Sequence, residues 1–313
     1  MELRYVGDSG LRVSKVGLGC NNFADRSDFE ASRQVIDAAI DHGITFFDTA
    51  DVYGRRGGSE DYLGQILGAE RRQKIVLATK FSIPMDDEGR LSGGSRAYVM
   101  QAVEASLRRL KTEWIDLYML HMPDPRTPIE ETLRALEDLI RQGKVRYIGC
   151  SNLSAWQLVE AHWTARSTGS SRFIAASNEY SLVKRGAESD ILPVARKYGI
   201  GFLPYFPLAS GLLSGKYRRD TPPPQGSRFD TTPRLAKPYA DAYEIVERLT
   251  AFAEARGRSL LELAFSWLLS QPTVSSVIAG ATSADQVAQN VRAADWALSA
   301  DDLAEVDRLT AQP

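Results

Sequence analysis

Eight short apolar runs recur along the chain, with stretches of a different period between them. The runs are VGLGC (16–20), ITFF (44–47), KIVLAT (74–79), IDLYML (115–120), VRYIGC (145–150), RFIAAS (172–177), IGFLPY (200–205) and VSSVI (274–278). Most are nearly continuous in apolar character, as strands covered on both faces of a parallel sheet are. Between them the apolar positions fall three and four apart. Val99, Val103, Leu107 and Leu110 share one stripe within 95–110, and Ile129, Leu133, Leu136 and Ile140 another within 129–141. Charged residues occupy the opposite faces, the pattern of helices with one wet side. Gly43, Gly143 and Gly199 each stand between a helical stretch and the next run, where a left-handed C-cap is wanted.

Strand alternating with helix predicts βα units. Eight such strands, with further helices near the C-terminus, predict an α/β chain of the (β/α)8 TIM-barrel type, spanning 1–313 as one domain. A doubly wound open sheet is the alternative. The residues before Val16 read as a β-hairpin turning at Asp8, Ser9 and Gly10 and capping the bottom of the barrel. The Pro-, Arg- and Thr-rich stretch 217–238 follows the seventh strand and reads as a binding loop rather than a domain boundary.

Composition adds mostly exclusions. The 313 residues are 43% hydrophobic and 25% charged, with a net charge of −2, so nothing draws the chain to nucleic acid or an anionic membrane. No apolar stretch is long enough to span a bilayer, and the N-terminus has no signal-peptide core. Cys20 and Cys150 stand apart, outside any CxxC, which fits a reducing, cytoplasmic setting. Three scattered histidines and two cysteines offer no metal cluster, so no metal site is expected. No exposed apolar stripe stands out, and the sequence leaves the oligomeric state open.

The chemistry lies at the strand ends. Asp48 follows ITFF, Lys80 follows KIVLAT and His121 follows IDLYML, with Tyr53 a few residues after Asp48. Alone, each has an ordinary explanation: a turn-forming Asp, a solvated Lys, a structural His. On three adjacent strands of a barrel they would meet at one rim, the C-terminal face where barrel enzymes keep their sites. An ammonium beside a phenol lowers its pKa, so Lys80, held by Asp48, would make Tyr53 a tuned general acid. His121 would position a substrate oxygen. The set suits a carbonyl that gains a hydride and a proton, the hydride coming from a bound cofactor. No GxGxxG follows the first strand. A phosphate site is expected instead near the last strands, at a helix opened by a capping box of Ser283 and Gln286 behind Gly280. Ser151 and Asn152 add hydrogen-bonding groups to the same rim. A barrel lyase or isomerase using Lys80 as a Schiff base is a third reading.

Over essentially its whole length the chain resembles the aldo-keto reductase superfamily. The matching stretches include SGLRVSKVGLG, GITFFDTADVYG, GGSEDYLGQIL, WIDLYMLHMPD, GKVRYIGCSN, PYFPLASGLLSGKY and VIAGATSADQVAQN. The resemblance implies a (β/α)8 barrel holding an extended nicotinamide dinucleotide, NADP(H) in preference to NAD(H), and reversible reduction of a small-molecule aldehyde or ketone. It assigns catalysis to Asp48, Tyr53, Lys80 and His121, the carboxamide to Ser151 and Asn152, and ring stacking to Tyr205. Ser177 stands where the family commonly has a Gln, with Asn178 as a substitute contact. Phe206, Leu208, Ser210, Gly211, Leu213 and Lys216 fall on the pyrophosphate and ribose loop. Gly280, Thr282, Ser283, Gln286 and Asn290 fall at the adenosine end, where the usual Arg or Lys against a 2′-phosphate is missing. Asn21, Asn22, Phe23 and Phe81 are expected at the substrate pocket. Some members of the superfamily are auxiliary subunits of membrane channels with slow turnover, which is the competing role.

Overall fold

Ten strands are present in a computed structural model that describes residues 1–311. A hairpin of β1 (Leu3–Tyr5) and β2 (Arg12–Ser14) precedes eight parallel strands. These are β3 (Val16–Gly19), β4 (Phe46–Asp48), β5 (Val76–Phe81), β6 (Ile115–Leu120), β7 (Val145–Ser151), β8 (Ala175–Ser177), β9 (Gly201–Phe202) and β10 (Val277–Gly280). Their spatial order is β10-β3-β4-β5-β6-β7-β8-β9. Phe202 closes the ring: its N–H donates to the Thr273 carbonyl at 2.8 Å, and its carbonyl accepts from Ser275 N–H at 2.9 Å. The sheet with its surrounding helices is the (β/α)8 barrel that the periodicity predicts, and each of the eight apolar runs overlaps one strand, four of which continue past the run's end.

Successive side chains of a strand point to opposite faces, and this alternation sorts the core into two layers. Phe46, Ala78, Leu117, Met119, Ala175, Leu203 and Ile278 fill the lumen. Phe47, Leu77, Phe81, Tyr118, Leu120, Ile148 and Cys150 face outward to the helices. Val6, Leu11 and Val13 of the hairpin join the lumen cluster, so the hairpin plugs the bottom of the barrel.

The strand ends differ from the sequence expectation in ways that matter. Asp48 and Lys80 do not follow their strands but belong to them, Asp48 paired with Ala78 and Lys80 with Met119. The seventh barrel strand keeps only Gly201 and Phe202, because Pro204 has no N–H to continue the ladder. The expected helices run from Arg96 to Leu110 and from Ile129 to Arg141. Gly43, Gly143 and Gly199 take φ of 75°, 74° and 63°, the left-handed turn that releases each helix into the next strand. The long segment after β9 folds into a short helix, Arg228–Thr231, and 3-10 turns at Pro233–Leu235 and Lys237–Ala242. Among the described residues no helix is long and apolar enough to cross a membrane.

Candidate functional site

Strand parity brings the polar residues together. Counting from the lumen residues Phe46, Ala78 and Met119, the next inward positions are Asp48, Lys80 and His121. All three line one cavity of about 550 Å³ at the C-terminal mouth of the barrel, with Tyr53. The Lys80 ammonium donates to Asp48 Oδ2 at 2.7 Å and to the Thr49 carbonyl at 2.9 Å. It also lies 5.2 Å from the centroid of the Tyr53 ring. The Tyr53 and His121 rings meet edge to face, with centroids 5.7 Å apart.

Burial sets the protonation states. It pulls the Lys80 ammonium down, but the adjoining Asp48 carboxylate outweighs it, and Lys80 stays charged. For Tyr53 burial raises the pKa, Lys80 opposes, and burial wins. The expected lowering of the phenol is therefore corrected for the chain by itself: in a dry pocket the cost of a phenolate exceeds the attraction of one ammonium. Burial, with Lys80 adding to it, takes His121 down to about 3, so its imidazole is neutral at pH 7. His121 Nδ1 and Asp48 Oδ1 are buried without a hydrogen-bond partner.

The backbone beyond Tyr53 is unusual. Gly54, Arg55 and Arg56 adopt φ of 66°, 62° and 66°, one turn of left-handed helix. Each non-glycine residue there costs about 1–2 kcal/mol. Gly54 is required twice over, since a Cβ would also lie 2.6 Å from the Phe23 carbonyl oxygen and from Ser59 N. This turn follows Tyr53 directly, and the Tyr53 side chain lines the cavity. Strain of this kind persists where the surroundings over-determine it.

The other rim residues are knitted to the same centre. Asn152, at a left-handed φ of 61°, donates to the His121 carbonyl at 2.9 Å and accepts from the Tyr205 hydroxyl at 2.7 Å. Ser151 Oγ donates to the Ser177 carbonyl, and Ser177 Oγ to the Leu203 carbonyl. The Ser177 hydroxyl is thus already committed. Asn178, its suggested substitute, does not line the cavity and donates to the Leu153 carbonyl.

Of the residues singled out in the sequence, Asn21, Asn22, Ser151, Asn152, Ser177, Tyr205, Phe206, Leu208, Ser210, Gly211, Lys216, Gly280, Thr282, Gln286 and Asn290 line this cavity with the central four. Four do not. Phe81 has the wrong parity: it points outward from β5 and packs against Tyr118 with ring centroids 4.7 Å apart. Phe23 is wholly buried in the outer core. Leu213 is likewise buried, and Ser283 caps the last-strand helix Ala284–Arg292 from outside the cavity. The capping box itself is shifted. Ser283 Oγ accepts from Gln286 N, but the Gln286 side chain accepts from Thr282 N at 2.9 Å, one residue earlier than expected. Asn21 and Asn22 sit on the β10 side, against Gly280.

Sequence reading missed Arg26, Ser214, Gly226, Ser227, Arg228 and Gln289, which also line the cavity. Arg26 donates to the Gly226 carbonyl at 3.4 Å, joining the loop after β3 to the loop after β9 across the opening. Arg228 Nε is buried with no hydrogen-bond partner, and its guanidinium lies 5.6 Å from the Phe206 ring centroid. Burial, with nearby Arg26 adding to it, lowers the Arg228 pKa. A signal existed: GSRF (226–229) lies in the one loop recognised as a binding loop, but no local pattern says which of its cations turns inward.

A barrel with a buried Lys–Asp pair, a phenol and a neutral imidazole at one mouth defines a class of site, and comparison with known proteins agrees with it. The Aldo/keto reductase family model matches residues 15–311, and the chain belongs to that family. It is 35% identical over 307 residues to the uncharacterized oxidoreductase YrpG of Bacillus subtilis (strain 168), covering 95% of this chain and 92% of that protein. It is 33% identical over 328 residues to the L-glyceraldehyde 3-phosphate reductase of Escherichia coli (strain K12), covering 98% and 92%. A probable voltage-gated potassium channel subunit beta of Arabidopsis thaliana is 36% identical over 305 residues, covering 94% and 92%.

Proposed function

We propose that the protein reduces aldehydes or ketones to alcohols with NADPH, Tyr53 giving the proton. The observation that carries this reading is the convergence of the Tyr53 phenol, the buried Lys80–Asp48 pair and the neutral His121 on the floor of one cavity. Bound nicotinamide would supply a hydride to the carbonyl carbon. The chain's own residues do the rest. His121, uncharged, donates a hydrogen bond that orients the carbonyl oxygen. Tyr53 keeps its proton until that oxygen becomes basic. Lys80 then stabilises the phenolate left behind, where before reaction it had only partly offset the cost of burial.

The cavity suits a dinucleotide phosphate. Arg26, Lys216 and Arg228 line it, and among the described residues none forms a salt bridge. Three unneutralised cations, one with a buried and unsatisfied Nε, call for an anionic ligand. They also supply from the loops after β3 and β9 the positive charge missing at 282–286. Tyr205, Ser151 and Asn152 lie beside the catalytic group, where the nicotinamide end belongs.

Titration with NADPH and NADH, followed by steady-state oxidation of each with a panel of aldehydes and ketones, tests this. Tight NADPH binding with turnover is expected. Tight binding with almost no turnover on any carbonyl would favour the second reading, an auxiliary subunit, to which the kinship with channel beta subunits lends weight. Preference for NADH would overturn the cofactor assignment alone.

A further inference from the structure

Two tryptophans stand in solvent on one helix. In the helix Ala155–Thr168, Trp156 is 65% and Trp163 53% exposed. They are two turns apart, about 10 Å along the axis, and Glu160 lies between them on the same face. This is the apolar stripe that sequence reading did not find: the buried side of the helix is Leu158, Ala161, His162 and Ala165, with one large aliphatic residue among them, so its apolar periodicity is weak. Trp163 is anchored, its Nε1 donating to the Tyr198 hydroxyl at 3.3 Å with the Arg166 guanidinium 5.3 Å from its ring centroid. Trp156 has no such partner. Tryptophan is, with tyrosine and arginine, among the side chains enriched at the energetic centres of contact surfaces.

Tyr198 also borders a groove of about 270 Å³ at the foot of the barrel, lined by Tyr147, Ile148, Ser171, Arg172, Phe173 and Tyr198 among others. It is distinct from the cofactor cavity, at the opposite end of the strands.

We propose that this face binds a second copy of the chain about a two-fold axis passing through Trp163, each Trp156 entering the partner's groove. The self-complementarity follows from spacing. Antiparallel helices related by that axis set residues equally far before and after Trp163 level with each other. Glu160, three before, comes level with Arg166, three after; among the described residues neither has an ion-pair partner within its own chain. Trp156, seven before, comes level with Ser170, beside the groove residues Ser171, Arg172 and Phe173. An aromatic knob thus meets a groove of mixed lining, in which Tyr147, Ile148 and Phe173 stand with Arg146 and Arg172, and an arginine against the Trp156 ring is a favourable cation–π pairing. A contact that repeats itself in this way closes as a dimer rather than a filament.

The test is sedimentation velocity of the full chain from sub-micromolar to tens of micromolar concentration. A reversible dimer is expected. Trp156→Ala should raise its dissociation constant about thirtyfold, the scale of a hot-spot residue. Glu160→Arg should raise it at least tenfold by facing Arg166 with a like charge, and adding Arg166→Glu should restore most of the loss. Circular dichroism of each variant establishes that it is folded; all three substituted side chains are exposed and leave the core intact. A monomer throughout, an assembly indifferent to Trp156→Ala, or a charge pair that fails to rescue would each overturn the proposal.

Discussion

The Lys80 ammonium lies 2.7 Å from the Asp48 carboxylate, with 3% and 8% of the two side chains exposed. The two residues lie at the C-terminal ends of adjacent strands, Asp48 last in β4 and Lys80 next to last in β5, both on the lumen side, so the pair is a product of sheet register. Lys80→Met would leave Asp48 without its partner in a dry site, where burial already raises its pKa and Lys80 is what opposes that rise. Removing one partner of a buried pair costs about 3–5 kcal/mol. Urea unfolding should show a loss of that order, and Asp48→Asn added to Lys80→Met should recover part of it. In turnover, Lys80→Met should lose most activity at neutral pH. A pH–rate profile that simply tracked the wild type would refute the electrostatic role of Lys80.

Tyr53→Phe keeps the ring, its contact with His121 and the left-handed turn beyond it. Only the proton is lost. The catalytic rate should fall about 10²–10⁴-fold, the usual worth of a positioned general acid, while NADPH affinity stays within about twofold of wild type. Near-normal turnover would remove Tyr53 from the mechanism.

Arg228→Met should weaken NADPH binding about tenfold or more by withdrawing a charge-assisted contact. The rate at saturating cofactor should change little, because Arg228 comes from the loop after β9 and not from the strand ends that carry the reacting group. Fluorescence titration measures the first and saturated steady-state kinetics the second. An unchanged dissociation constant would mean that Arg228 faces some other ligand.

Asp51 is almost wholly buried. Its Oδ1 has no partner, and its Oδ2 accepts only a long 3.4 Å bond from Tyr98. Burial first, and then the charge of Glu60, raise its pKa to about 8. Between the unfolded value near 4 and the folded value, the native chain holds a proton that the unfolded chain has released. This contribution to stability is full below about pH 4 and is lost as pH rises toward 8. Asn mimics the protonated acid without titrating. The melting temperature of Asp51→Asn should therefore fall less between pH 5 and pH 8 than that of wild type. Parallel curves would show that Asp51 is already ionised at pH 5.

The barrel was legible because its information is local. A parallel sheet covered on both faces forces continuous apolar strands, and helices with one wet side force a three-to-four spacing. The central site was legible for the same reason. Asp48, Lys80 and His121 each fall an even number of residues from a lumen side chain of their own strand, so parity alone aims them inward. The same rule, had it been applied to Phe81, would have sent it outward against Tyr118.

What the linear order could not decide depends on what meets across the barrel. Phe23 is buried in the outer core because the loop after β3 docks on the left-handed turn at Gly54. The Tyr53 pKa rose because desolvation, a property of everything packed around the phenol, outweighs its one charged neighbour. Arg26 and Arg228 converge on the cavity only because two loops some 200 residues apart close over it. Trp156 and Trp163 stay in the open because Leu158, Ala161, His162 and Ala165 are the side of their helix that packs on the barrel. Periodicity determines which way a side chain leaves its own strand or helix; only the assembled tertiary structure determines what it finds there.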